Sequence, residues 1–80
     1  MTAPRITLIG KPGCHLCDEA RAVIADVAAR LGVEWVEISI QDDEVLTQRY
    51  QNDIPVTLVD GKVHDFWRVS AERLTQALAG

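Results

Sequence analysis

The sequence predicts one α/β domain whose elements run β-α-β-α-β-β-α, and three observations carry that order. An apolar run at residues 5–10 passes directly into a helical stripe of apolar residues that continues to Leu31. Asp60-Gly61, a strong two-residue turn signal, joins two short strand-like runs into a hairpin. The only two cysteines, Cys14 and Cys17, stand where the first strand meets the first helix. A chain of 80 residues makes a single domain, 1–80, and a hydrophobic content of 48% supplies material for its core.

Each element has its own signal. In the first strand, residues 5–10, Ile6 and Leu8 point to one side, and Thr7 and Ile9 to the other. Both sides are largely apolar, as expected of a central strand covered on both faces. Gly10 to Gly13 break the pattern and form a loop. The helix from about Cys14 to Leu31 puts Leu16, Ala20, Val23, Ile24, Val27 and Leu31 on one stripe. Arg21 and Arg30 fall off that stripe as solvated charges, and Gly32 supplies the stop.

The second strand covers Val33 to Ile40. Val36, Ile38 and Ile40 read as its buried side and Glu37 and Ser39 as the wetter one, which suits an edge position. Trp35 lies on the wetter side, partly covered by a neighbouring helix or loop. Asp42-Asp43 cap a short helix over about 43–51, with Tyr50 in the core. Ile54-Pro55 leads into the strand Val56-Thr57-Leu58-Val59, where a proline at the first position does least harm. Lys62 to Trp67 returns antiparallel, with His64 facing solvent. Ser70 caps the last helix, which carries Leu74, Ala77 and Leu78 inward.

Composition narrows the function. A net charge of −4 and a pI near 4.9 argue against nucleic-acid or anionic-membrane partners. No apolar run approaches a membrane-spanning length. Met1-Thr2-Ala3-Pro4-Arg5 lacks the charged and apolar regions of a secretory signal, so a cytoplasmic location is the expectation, and a monomer is the default. In a reducing compartment, two close cysteines point to catalysis or metal binding rather than to a structural staple.

The Cys-x-x-Cys spacing has a chemical reason. Two intervening residues at a helix start keep both sulfurs within disulfide reach. Cys14 falls at the helix N-terminus, where unsatisfied N–H groups and the helix dipole favour the thiolate, which is the nucleophile. Lys11 adds positive charge nearby, while Asp18 and Glu19 oppose ionisation. Cys17, one turn further on, is more buried and more thiol-like. The expected cycle has Cys14 attack a substrate disulfide and form a mixed disulfide. Cys17 then resolves it, releasing reduced substrate and leaving the redox disulfide Cys14–Cys17.

The element order, Cys14-His15-Leu16-Cys17 after the first strand and Ile54-Pro55 before the third resemble the glutaredoxins. The phrase from Lys11 to Ala20, Lys-Pro-Gly-Cys-His-Leu-Cys-Asp-Glu-Ala, is most similar to a small bacterial glutaredoxin-like family. The resemblance covers essentially the whole chain. It implies a three-layer thioredoxin/glutaredoxin-like fold around a four-stranded mixed sheet, the second strand at an edge beside the first. It implies a cis Ile54–Pro55 bond with the proline against the sulfurs, and an Ile54 backbone that pairs with an extended substrate. Lys11 matches a lysine that glutaredoxins carry before the nucleophile. The chain departs from ordinary glutaredoxins at His15-Leu16, at Asp53, and at 67–73, where a Gly-Gly pair is missing; Trp67 and Arg68 end the last strand on the side of the family's active site, where they either border a substrate groove or serve ordinary capping and packing.

The first reading is therefore a thiol-disulfide oxidoreductase acting on protein or small-molecule disulfides, with no bound cofactor. Its reductant is glutathione or a thioredoxin-reductase-type flavoenzyme. A second is a metal or iron–sulfur module using Cys14 and Cys17, for which one chain offers too few ligands for a closed zinc site. A third is an interaction domain whose dithiol is not catalytic.

Overall fold

The computed structural model describes residues 4–79. Met1, Thr2, Ala3 and Gly80 lie outside the described residues, and with them the two ends of the expected domain and most of the N-terminal reading. Four strands, β1 (Ile6–Gly10), β2 (Trp35–Ser39), β3 (Val56–Val59) and β4 (Lys62–Phe66), form one sheet in the order β2-β1-β3-β4. β1 runs parallel to β2 and antiparallel to β3, and β3 runs antiparallel to β4. Helices α1 (His15–Leu31) and α3 (Ala71–Ala79) cover one face, and α2 (Glu44–Tyr50), preceded by a 3-10 turn at Ile40–Asp42, covers part of the other. This is the three-layer, four-stranded mixed sheet that the resemblance implies.

The two-sided first strand sets the layering. Ile6 and Leu8 are fully buried under α1 and α3 with Ile24, Val27, Leu74 and Leu78. Ile9 faces the opposite core, with Val56, Ile40 and Tyr50. Local chemistry ends the elements where the sequence places the stops. Gly32 is left-handed (φ 68°) and caps α1. The Asp43 side chain accepts the Val45 N–H at 2.8 Å and so starts α2. Asp60 and Gly61 both have positive φ, 51° and 83°, the conformation of a tight hairpin turn. The Ser70 hydroxyl accepts the Arg73 N–H at 3.2 Å.

Four expectations are corrected. On β2, Val36 is 38% exposed, whereas Trp35 packs on the α1/α3 core. The longer helices lie on the Trp35 side, and the seven residues of α2 are too few to cover Val36. Leu31, at the last turn of α1, is 43% exposed because the helix outruns the sheet. β4 ends at Phe66, and Trp67 leaves the strand with φ 62°. His64 is half-buried, not solvent-facing, and its Nε2 is buried without a hydrogen-bond partner. The register between β3 and β4 shifts here: Leu58 opposes Val63 while Thr57 opposes Asp65, which leaves His64 as the extra residue of a bulge.

Arg5 ties three elements together. Its guanidinium donates to both Asp60 carboxylate oxygens, at 3.0 and 2.8 Å, and to the Leu78 carbonyl at 3.0 Å. The hydrogen bond from Arg5 holds the Asp60 carboxyl below the ordinary carboxylate range. A carboxylate whose folded value is depressed stabilises the fold above its unfolded value, about 3.9, and loses that contribution as pH falls through the folded value. Asp60→Asn is therefore expected to lower the urea midpoint at pH 7, with the gap from the parent closing below about pH 3.9. A gap of constant size down to about pH 2 contradicts this assignment.

Among the described residues no helix is long and apolar enough to cross a membrane.

Candidate active site

The end of β1 delivers the chain to the cysteine loop, and the start of α1 fixes it there. Cys14 is the N-cap: its backbone is extended (φ −91°, ψ 114°) and its Sγ accepts the Cys17 N–H at 3.2 Å. A sulfur there satisfies one of the orphan donors of the first turn and lies at the positive end of the helix dipole. Cys14 and Cys17 are paired as a disulfide, with Cα atoms 5.1 Å apart. The two sulfurs are not equivalent. Cys14 is partly exposed, whereas Cys17 is 0% exposed.

Behind Cys17 sits Gly10, the last residue of β1. A Cβ added to Gly10 would come within 2.8 Å of Cys17 Sγ and 3.2 Å of its Cβ. Glycine is needed there for close approach. Extending the β1–β3 register by one residue beyond Ile9↔Val56 sets Pro55 opposite Gly10, so that Pro55, Gly10 and Cys17 are grouped. Pro55 is buried, and the Ile54–Pro55 peptide bond is cis.

Trp67 forms the neighbouring wall. Its N–H donates to the Pro55 carbonyl at 2.7 Å, and its indole Nε1–H donates to the Asn52 carbonyl at 3.3 Å. These bonds hold a bulky residue in the left-handed region, a conformation that costs about 1–2 kcal/mol without glycine. The ring remains 55% exposed. With Leu16, Glu19, Ala20, Val23, Arg68 and Val69, it lines a groove of about 130 Å³ beside α1. A second, wider depression of about 450 Å³ lies on another flank of α1, between the cysteine loop and β2, and includes Lys11, Arg21, Glu37 and Asp42.

Arg21 is not the free surface charge the sequence suggests. Its Nε and Nη2 donate to the two Glu37 oxygens at 2.6 and 2.7 Å, and its Nη1 donates to Asp18 Oδ1 at 2.7 Å. These bonds push the Arg21 guanidinium up, Glu37 contributing most and Asp18 next. The Glu37 carboxyl is held below its ordinary value by the same guanidinium. Arg30 pairs with Asp26 and is otherwise solvated, as its place on the helix implies.

The structure thus groups Cys14, Cys17, Pro55 and Trp67 at one end of the sheet, with Ile54 half-buried beside them. Lys11 is exposed and lines the second depression rather than the Trp67 groove. Sequence reasoning missed Gly10 and Arg21 as parts of the site. Gly10 carries a faint signal, a glycine closing an apolar strand just before the cysteines. Arg21 carries none, since Glu37 is 16 residues away. Among the described residues no group of three or more His, Cys, Asp or Glu side chains is gathered as a metal site.

Residues 5–79 match the glutaredoxin-like domain (DUF836). The chain belongs to that family. This glutaredoxin-like domain is 26% identical to the Mycobacterium tuberculosis protein Rv0508, over 99% of its own length and 87% of the relative's. It is similar to the X-ray structure of XcR50 from X. campestris at 30% identity, with a TM-score of 0.75 over 92% of this chain and 95% of that one. It shares the fold of the glutaredoxin grx-1 from Archaeoglobus fulgidus, at 18% identity and a TM-score of 0.60 over 96% and 88% of the two chains. A glutaredoxin-like domain with a Cys-x-x-Cys pair at the start of α1 is thus in place.

Proposed function

We propose that this glutaredoxin-like domain is a thiol-disulfide oxidoreductase that passes electrons to substrate disulfides through Cys14 and Cys17. The observation that carries the reading is the asymmetry of the pair. Cys14 Sγ accepts a helix N-terminal N–H and reaches the surface, while Cys17 is fully buried behind it. An accessible, thiolate-favouring sulfur attacks; a sheltered one one turn away resolves.

The Cys14 thiolate attacks one sulfur of the substrate disulfide, forming a Cys14–substrate bond and expelling the other sulfur as a thiolate that takes up a proton. Cys17 loses its proton and attacks Cys14 Sγ, forming Cys14–Cys17 and expelling the second substrate thiol. Two electrons have moved to the substrate and the protein is oxidised. A thiol or flavoenzyme reductant, glutathione or a thioredoxin-reductase type, returns them. Ile54 and Pro55 present backbone to an extended substrate, Trp67 walls the groove beside it, and Lys11 supplies positive charge on the other flank. The protein acts in a reducing cytoplasm as a monomer.

The test is turnover of a mixed-disulfide substrate in two arms, one with glutathione and glutathione reductase, the other with NADPH and thioredoxin reductase. Cys14-dependent activity in at least one arm is expected. The active arm identifies the reductant, and no Cys14-dependent activity in either overturns the reading.

A further inference from the structure

We propose that Arg21 is a positioning residue for Cys14: by holding the Asp18 carboxylate it limits the negative charge that would otherwise suppress the attacking thiolate. The inference deepens, and rests on, the reading of Cys14 as the nucleophile.

The geometry begins with Asp18. Its N–H donates to the Cys14 carbonyl at 3.1 Å, so the two residues are one helical turn apart, on the same face. The Asp18 carboxylate is thus an anion within about one helical turn of the residue that carries the sulfur. An anion there opposes ionisation of Cys14. Arg21, three residues further, donates to Asp18 at 2.7 Å and is anchored from the other side by the two-pronged bond to Glu37 on β2. A fork-to-carboxylate bond fixes the guanidinium in one orientation, which a lone helical pair does not do. Glu37 thus aims Arg21 while drawing on part of its charge. Of the other charged or titratable groups, Lys11, Glu19, Asp42 and Arg68 line the two depressions beside α1, His15 lies between the two cysteines, and Asp53 precedes Ile54-Pro55 in the chain. Of these, His15 and Glu19 share the helix with Arg21, and Lys11 and Asp42 share its depression.

The experiment reads the pH midpoint of Cys14 alkylation in the reduced protein on a Cys17→Ser background, at about 20 mM salt, where surface charges are weakly screened. Arg21→Gln is expected to raise the midpoint by about 0.3–0.5 pH unit, the order of magnitude for removing one nearby unit charge in a largely aqueous medium. The shift shrinks at about 0.5 M salt. Arg21→Lys keeps the charge and stays closer to the parent than Arg21→Gln does. Glu37→Gln separates charge from scaffolding. It breaks the same α1–β2 clip but leaves the full Arg21 charge for Asp18, so its midpoint moves down. If the clip matters only as structure, Arg21→Gln and Glu37→Gln move the midpoint in the same direction, and the inference fails. It fails equally if Arg21→Gln leaves the midpoint within about 0.1 unit of the parent. The readout needs no turnover. A protein silent in both turnover arms but with opposed shifts keeps this inference and loses the functional reading; an active protein with an unmoved Arg21→Gln does the reverse.

Discussion

Cys14→Ser abolishes disulfide turnover, by about a thousandfold or more, because a hydroxyl in that position is not appreciably ionised and cannot form the mixed disulfide. Cys17→Ser fails differently. Cys14 keeps its cap, its access to solvent and its place at the end of α1, so attack proceeds, but no sulfur resolves the product. The variant is expected to accumulate as a covalent adduct with one half of the substrate, visible as a mass increase that a reducing agent removes. The pair of outcomes tests direction as well as participation. An adduct on the Cys14→Ser variant, with none on Cys17→Ser, would reverse the two roles and sink the argument from burial. The fold itself is expected to survive both changes, because the core under α1 rests on Ile6, Leu8, Ile24 and Leu74 rather than on the sulfur link.

Gly10→Ala destabilises the oxidised protein by about 1–3 kcal/mol, the usual range when a well-packed site is asked to hold an extra methyl group. The new carbon meets Cys17 Sγ at 2.8 Å, and in the oxidised state that sulfur is tied to Cys14 and cannot turn away. In the dithiol state it can swing, so the penalty is smaller. Unfolding by urea, run on both redox states, measures the difference. At a slope of about 1 kcal/mol/M the oxidised midpoint falls by about 1–3 M, and the reduced one by less. Thermodynamic linkage then makes the variant easier to reduce. Each 1.4 kcal/mol of difference between the two states raises the potential by about 30 mV. Equal midpoints for parent and variant in the oxidised state would show that the Gly10–Cys17 approach is not tight.

The contrast between these two sites shows what a sequence discloses. The cysteine pair was legible because it is local: three residues apart at a strand–helix junction, with chemistry that explains the spacing. The stops at Gly32, Asp60-Gly61 and Ser70 were legible for the same reason, as each acts on its own backbone. What stayed hidden depends on distant partners. Gly10 reads as a pattern break until Cys17 is folded back over it. On β2 the alternation marks two faces but does not say which one receives the longer helices, so Trp35 is covered by a helix as expected while Val36 is left exposed. Arg21 meets Glu37 only because β2 lies beside β1, which sets Glu37 next to Leu8. His64 is turned inward by a register shift that no residue type announces.

The two tryptophans stand in opposite surroundings, and this divides the protein's intrinsic fluorescence. Trp35 is packed against the helices over the main core, so its emission follows the integrity of the whole fold. Trp67 is pinned by its backbone and its indole nitrogen at the groove rim, with more than half its surface in water. Its emission follows what lies in the groove and how the cysteine end of α1 is arranged. A spectral change that leaves denaturant stability untouched therefore belongs to Trp67, and a single substitution of either indole gives a chain with one reporter for one event.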